Sequence, residues 1–233
     1  MCGRFTQGQE MAVLEKRFEL EPGGLELKPR YNLAPGQETG VVAQGRGRRL
    51  ELMRWGLVPH WAQDVAVGYK NINARAESAA EKPMFKGLLR QSRCLILADG
   101  FFEWPSQGKG QTKAPMRFLL ADEVPFAFAG LWDTWTDPEG ASLHTFTIIT
   151  TQANDLIRPL HQRMPVILKP EDEGAWLDPE LTDPGRLTSL LRPYPAGLMK
   201  GYGVSPLVNS VKNDSPQMIE PWEPPPGLFD HLG

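Results

Sequence analysis

A cysteine directly behind the initiator methionine, in Met1-Cys2-Gly3-Arg4-Phe5, carries the most distinctive chemistry in this sequence. A small second residue permits removal of Met1, which would leave Cys2 with a free α-amine and a thiol on adjacent carbons. Unperturbed, that amine titrates near ~7.7–8.0 and the thiol near ~8.5, so each has a nucleophilic fraction at neutral pH. Such a 1,2-aminothiol suits an aldehyde: the amine condenses to an imine, and sulfur closes onto the imine carbon to give a thiazolidine. Position 2 by itself is also compatible with a chance cysteine at a frayed terminus. Cys94, inside the apolar run Cys94-Leu95-Ile96-Leu97-Ala98, reads as a small buried hydrophobe. Two cysteines make no disulfide framework, and His60, His144, His161 and His231 stand at no metal-ligand spacing, so no metal or other cofactor is expected.

Short elements must position this chemistry. Thr6 followed by Gln9 has the form of a capping box, and Met11, Leu14 and Phe18 recur at helical spacing until Pro22-Gly23-Gly24. Strands are expected at 39–44 and 50–55 around an arginine-rich hairpin tip, then at 94–98, 116–120, 125–132, 144–151 and 165–168. The segments 105–110 and 134–140 read as hairpin tips, and 171–177 and 187–191 as short helices. The expectation is one α+β domain over residues 1–219, with a largely antiparallel, barrel-like β core and peripheral short helices, followed by a Pro-rich tail at 220–233.

Composition narrows the function classes. Glycine and proline number 23 and 22 in 233 residues, which disfavours a helical bundle. A net charge of −3 excludes a globally basic nucleic-acid binder but not a local basic cleft. The N-terminus lacks the pattern of an export signal, and the longest apolar stretch, 126–132, is too short to span a bilayer, so a cytoplasmic protein without membrane contact is expected.

Several polar-aromatic strings then recur in a specific order: Arg30-Tyr31-Asn32-Leu33-Ala34-Pro35-Gly36, Trp55-Gly56-Leu57-Val58-Pro59-His60-Trp61, Asn73-Ala74-Arg75-Ala76-Glu77, Asp99-Gly100-Phe101-Phe102-Glu103-Trp104, His161-Gln162-Arg163-Met164-Pro165 and Val211-Lys212-Asn213. With the N-terminal Cys2 these resemble the SRAP family of abasic-site-processing proteins, over nearly the whole chain. The resemblance implies a covalent sensor of abasic sites in single-stranded DNA, acting as a monomer in the DNA-damage response and near the nucleoid. It places Cys2 as nucleophile, Asn73 as the group orienting its α-amine, Glu103 in proton transfer and His161 as general acid/base. Peptidase-like removal of Met1 and a minor lyase activity are implied as well. Arg4, Arg75 and Arg163 become candidates for phosphate contact, Trp61 and Trp104 for base stacking, Pro35 for a wedge against the strand, and Asn32 for a further DNA contact. Pro83 stands where some relatives carry an arginine, leaving Lys82 or Lys86 as substitutes.

Two other readings remain at this point. An N-terminal-nucleophile amidohydrolase also begins Met-Cys-Gly, but Arg4-Phe5 replaces the apolar run expected there. A non-covalent single-strand-binding module would need the aromatics and arginines but not Cys2, Asn73, Glu103 and His161 together.

Overall fold

Apolar and aromatic runs build the strands and short 3.6-period segments build the helices of this computed structural model, which describes residues 2–21, 25–105 and 115–223. The strands are β1 (Phe5–Gln7), β2 (Arg30–Leu33), β3 (Glu38–Ala43), β4 (Leu50–Trp55), β5 (Asn73–Arg75), β6 (Arg93–Ala98) and β7 (Gly100–Glu103). They continue with β8 (Met116–Leu120), β9 (Phe126–Thr136), β10 (Ser142–Gln152), β11 (Arg163–Pro165), β12 (Ile167–Leu168) and β13 (Met199–Gly203). The helices are α1 (Met11–Phe18), α2 (Ala76–Ala79), α3 (Pro83–Gln91), α4 (Pro170–Leu177) and α5 (Pro184–Ser189).

The larger sheet closes on itself. Strand β10 pairs in parallel with β4 and antiparallel with β9, which completes the ring β10-β4-β3-β6-β9. Strands β5 and β11 extend the far end of β10, and β12 adds to β9. The second sheet runs β13-β8-β7-β1-β2 and is antiparallel throughout. The α+β class with a barrel-like, mostly antiparallel core is therefore as the sequence implies, with parallel pairing confined to the partners of β10.

Phe5 joins the two sheets. Its ring lies 5.1 Å from Trp55 on β4 and 5.7 Å from Phe128 on β9, both edge-on, and is fully buried. Truncation of so enclosed a ring costs ~3–5 kcal/mol, and here it would also loosen Cys2, three residues upstream. A second apolar layer, with Leu14, Phe18, Phe85, Leu89 and Trp176, buries the helices against the outside of the barrel.

Local expectations fail where a long-range partner intervenes. Thr6 does not cap α1: it lies on β1, and its hydroxyl donates to the Asp99 carboxylate and to the Gly100 carbonyl. Glu10 occupies the N-cap without a side-chain bond. Helix α3 goes unannounced in the sequence because Pro83 reads as a breaker, yet it sits in the first turn, where its missing N–H costs nothing. The turn expected at 134–140 is tighter, since β9 runs on to Thr136. Pro22-Gly23-Gly24, most of the 105–110 tip, and the tail from Pro224 lie outside the described residues. Among the described residues no helix is long and apolar enough to cross a membrane.

Candidate functional site

The antiparallel register of β1 on β7 brings the N-terminal segment to the end of β7. Phe5 stands opposite Phe101, and the Phe102 N–H donates to the Arg4 carbonyl at 2.9 Å. One step further in this register Glu103 stands opposite Gly3, and its charge reaches the Cys2 thiol next in the chain. Both are buried, Cys2 at 0% and Glu103 at 4% relative exposure. The alternation of Phe102, Glu103 and Trp104 suggests a solvent-facing carboxylate, but the strand ends at the join between the sheets, where both faces are covered.

The larger sheet contributes from the opposite side. Asn73 opens β5, held in register by β10, and its Nδ2 donates to the Cys2 carbonyl at 2.8 Å. Its Oδ1 is buried without a hydrogen-bond partner among the described residues. His161 lies just before β11, which β10 also holds. The backbone of Arg163 holds its Nδ1, with the N–H at 2.9 Å and the carbonyl oxygen at 3.1 Å. Thus β7 and β10, one strand from each sheet, bring together the four residues that the sequence placed in chemical roles.

Electrostatics distinguish these groups. Burial pushes the Cys2 thiol far above its ordinary range, and the neighbouring Glu103 charge adds to the effect. In the chain that still carries Met1, the thiolate of Cys2 is therefore disfavoured. Burial also raises the Glu103 carboxyl, while the charges of the N-terminal amine and, after it, of His161 oppose that rise.

The surrounding arginines are already engaged. Arg4 Nη1 donates to Asn32 Oδ1 and to the Val208 carbonyl, both at 2.7 Å, and its guanidinium lies 5.7 Å from the Trp104 ring centre. Asn32, expected at the DNA, is fully buried; its amide points at the carbonyls of Val208, Ser210 and Asn213. Its role as placed is to fix the segment 208–213 behind Arg4. Trp104 donates from Nε1 to Asn209. Arg163 forms a two-pronged ion pair with Glu77, at 2.6 and 2.8 Å, and donates to the Thr150 carbonyl. Arg75 and Trp61 are exposed, the latter at 62%, and Pro35 is partly so.

Glu77 and Asn209 were not singled out from the sequence. Glu77 belongs to the string 73–77, so its presence was visible there but its partner was not. The hairpin arginines are ordinary surface groups: Arg46 pairs with Glu51 and Arg49 with Glu21. Trp135 and Trp176 are buried as expected, whereas Trp132 is only partly so, under Arg46. A cleft of 760 Å³ opens beside β3 and β4, but none of the four site residues lines it. Among the described residues no group of three His, Cys, Asp or Glu side chains could hold a metal ion.

The family model described as SOS response associated peptidase (SRAP) matches residues 1–211. The abasic site processing protein YoqW of Bacillus subtilis is 50% identical over 94% of this chain and 99% of its own length. The abasic site processing protein YedK of Escherichia coli is 33% identical over 95% of this chain and all of its own length. A crystal structure of a Bacteroides thetaiotaomicron protein superposes with a TM-score of 0.86, at 27% identity, covering 95% of this chain and 100% of that one.

Proposed function

The chain belongs to the SOS response associated peptidase family, and from that premise we propose that it processes abasic sites in single-stranded DNA by covalent capture at Cys2. The observation that carries this reading is the seat of Cys2. A buried cysteine is held through its carbonyl by Asn73 and lies within the field of a buried carboxyl, on which the His161 imidazole acts in turn.

Removal of Met1 frees the Cys2 amine, and the unpartnered Asn73 Oδ1 is the acceptor that would orient it. The amine attacks the aldehyde carbon of the ring-opened deoxyribose, and His161 carries the proton from nitrogen to oxygen. In its protonated form, which burial favours, Glu103 then gives its proton to the departing hydroxyl, and water leaves an iminium ion. The carboxylate so formed takes the proton from the thiol as sulfur bonds to the iminium carbon. Glu103 is restored, and the net change is one thiazolidine ring and one water. The raised thiol pKa is offset in this step because the iminium charge beside the sulfur favours the thiolate and the proton leaves as the S–C bond forms. Removal of Met1 is the peptidase step this scheme requires, and β-elimination from the imine is the competing lyase route that ring closure suppresses.

Single strands suit the site because a sugar within duplex would have to be flipped out at added cost. Arg4, Arg75 and Arg163 are the candidate phosphate contacts; Arg75 reaches solvent already, and Arg163 would exchange Glu77 for phosphate. The test incubates Met1-processed protein with single-stranded oligonucleotides with and without one abasic site. A heat-stable shifted band on a denaturing gel is expected with the abasic strand only. No such band from protein with a free Cys2 amine would contradict the proposal, and retention of the strand under native conditions alone would mark a non-covalent binder.

A further inference from the structure

A second polar-aromatic feature stands against the turn that carries Pro35. Tyr69 is 59% exposed, its hydroxyl receives a hydrogen bond from Arg54 Nη2 at 3.3 Å, and the Arg54 guanidinium lies 5.6 Å from its ring centre. Arg54 faces Glu38 in the β3–β4 register, yet its hydrogen bond goes to Tyr69. Glycines make this placement possible. Gly36 has φ +88°, and a Cβ there would lie 3.0 Å from the Tyr69 hydroxyl. A Cβ on Gly68 would come within 2.6 Å of the Gly56 carbonyl oxygen, so the 65–70 turn is pressed onto the end of β4 as only glycine allows.

Chain connectivity ties this pair to the Cys2 site. Tyr69 precedes Asn73 by four residues, a span of at most ~14 Å, or about four stacked nucleotide steps at ~3.4 Å each. The 760 Å³ cleft continues outward from Gly36 and Arg54, with Lys28 and Arg30 among its walls and Glu26 and Glu38 among its carboxylates. An exposed ring with a guanidinium on it is the combination that takes a base on the aromatic face and a phosphate on the cation.

We propose that Tyr69 and Arg54 form a subsite for a nucleotide flanking the lesion in the bound single strand. The subsite rests on the reading that the Cys2 site takes single-stranded DNA. It accepts any base, because stacking on a ring and pairing of a phosphate carry no base code.

Fluorescence anisotropy with labelled, undamaged single-stranded oligonucleotides tests it. Tyr69→Ala is expected to weaken binding ~5-fold or more, while Tyr69→Phe, which keeps the ring, retains most of the affinity. Arg54→Gln is expected to reduce the slope of log K against log salt by ~0.7, and Arg46→Gln, the same charge change on the hairpin tip, to leave it unaltered. Shortening the oligonucleotide from one end should remove the difference between wild type and Tyr69→Ala; shortening from the other should not. Wild-type affinity in Tyr69→Ala, or an unchanged salt slope in Arg54→Gln, overturns the subsite, as does a wild type without affinity for single strands. A wild type that binds the strand but forms no adduct with an abasic site overturns the covalent reading instead, so the two failures are distinguishable.

Discussion

Cys2 and Cys94 are equally dry, and burial drives both thiols far above their ordinary titration range. Their surroundings differ. Cys94 lies within the barrel wall, paired through β6 to Gly130 on β9, and burial accounts for its whole shift. Cys2 lies where the two sheets meet, with the Asn73 amide on its carbonyl and the charge of Glu103 on its thiol. Burial does not distinguish the two sulfurs in this chain; the groups around them do, and on the proposed reading they make Cys2 the reactive one. Two carboxylates repeat the contrast. Glu173 is buried against a two-pronged partner, Arg17 at 2.7 and 3.2 Å, which opposes the effect of burial. For Glu103 the opposing charges are the N-terminal amine and an imidazole, groups that can themselves pass protons.

The largest expected effect separates the thiols outright. Cys2→Ala should abolish the heat-stable adduct while native-gel binding to the strand persists. Cys94→Ser should keep the adduct and lower Tm by roughly 2–12 °C, since a buried hydroxyl without a partner costs ~1–3 kcal/mol. Adduct formation by Cys2→Ala, or its loss in a folded Cys94→Ser, would erase the distinction.

The carboxylates come next. Glu103→Gln should slow adduct formation ~100-fold or more, the scale of a lost general acid. Because Glu103 is raised in the folded state, it keeps a proton that the unfolded chain releases above its own pKa of ~4.3. The native protein therefore loses stability as pH climbs from there through the raised value. Glutamine removes that loss, so Glu103→Gln should melt above wild type at pH 8, with the advantage disappearing below pH 4. Burial raises Glu173 in the folded state as well, so Glu173→Gln should likewise gain in melting temperature over wild type as pH climbs, but with adduct formation intact. Melting curves across pH read both. The rate itself should fall on the alkaline side in wild type as Glu103 ionises, and that limb should be missing in Glu103→Gln.

The smallest effect concerns Glu77. Its ion pair holds Arg163, whose backbone N–H fixes the His161 ring. Glu77→Gln is expected to slow the adduct less than Glu103→Gln and to shift its pH profile, as single-turnover rates would show.

Much of the fold was legible from apolar runs. The segment 50–55 matches β4 at both ends, where alternation toward one buried face marks the strand, and 94–98 falls one residue short of β6, which is buried on both faces and reads as a continuous hydrophobic stretch. Elements held by distant partners were not legible. Thr6 serves a strand through Asp99, 93 residues away, and β1 itself, three residues long, has no local signature. The site divides in the same manner. Residue types and their order pointed to Cys2, Asn73, Glu103 and His161, but no spacing indicates that Asn32 turns inward, that Glu77 occupies Arg163, or that Asn209 holds Trp104. Those facts depend on side-chain partners 86 to 181 residues distant.

The intact mass of the adduct tests the central claim most directly. Protein confirmed to have lost Met1 is incubated with a single-stranded oligonucleotide bearing one abasic site, and the product is weighed without a reducing agent. Aminothiol capture predicts a species equal to protein plus oligonucleotide less one water that survives heating, which hydrolyses an open imine of the same mass; wild type forms it, and neither Cys2→Ala nor protein retaining Met1 does. The same species from either of those two controls, or its absence from the processed wild type, would contradict the account.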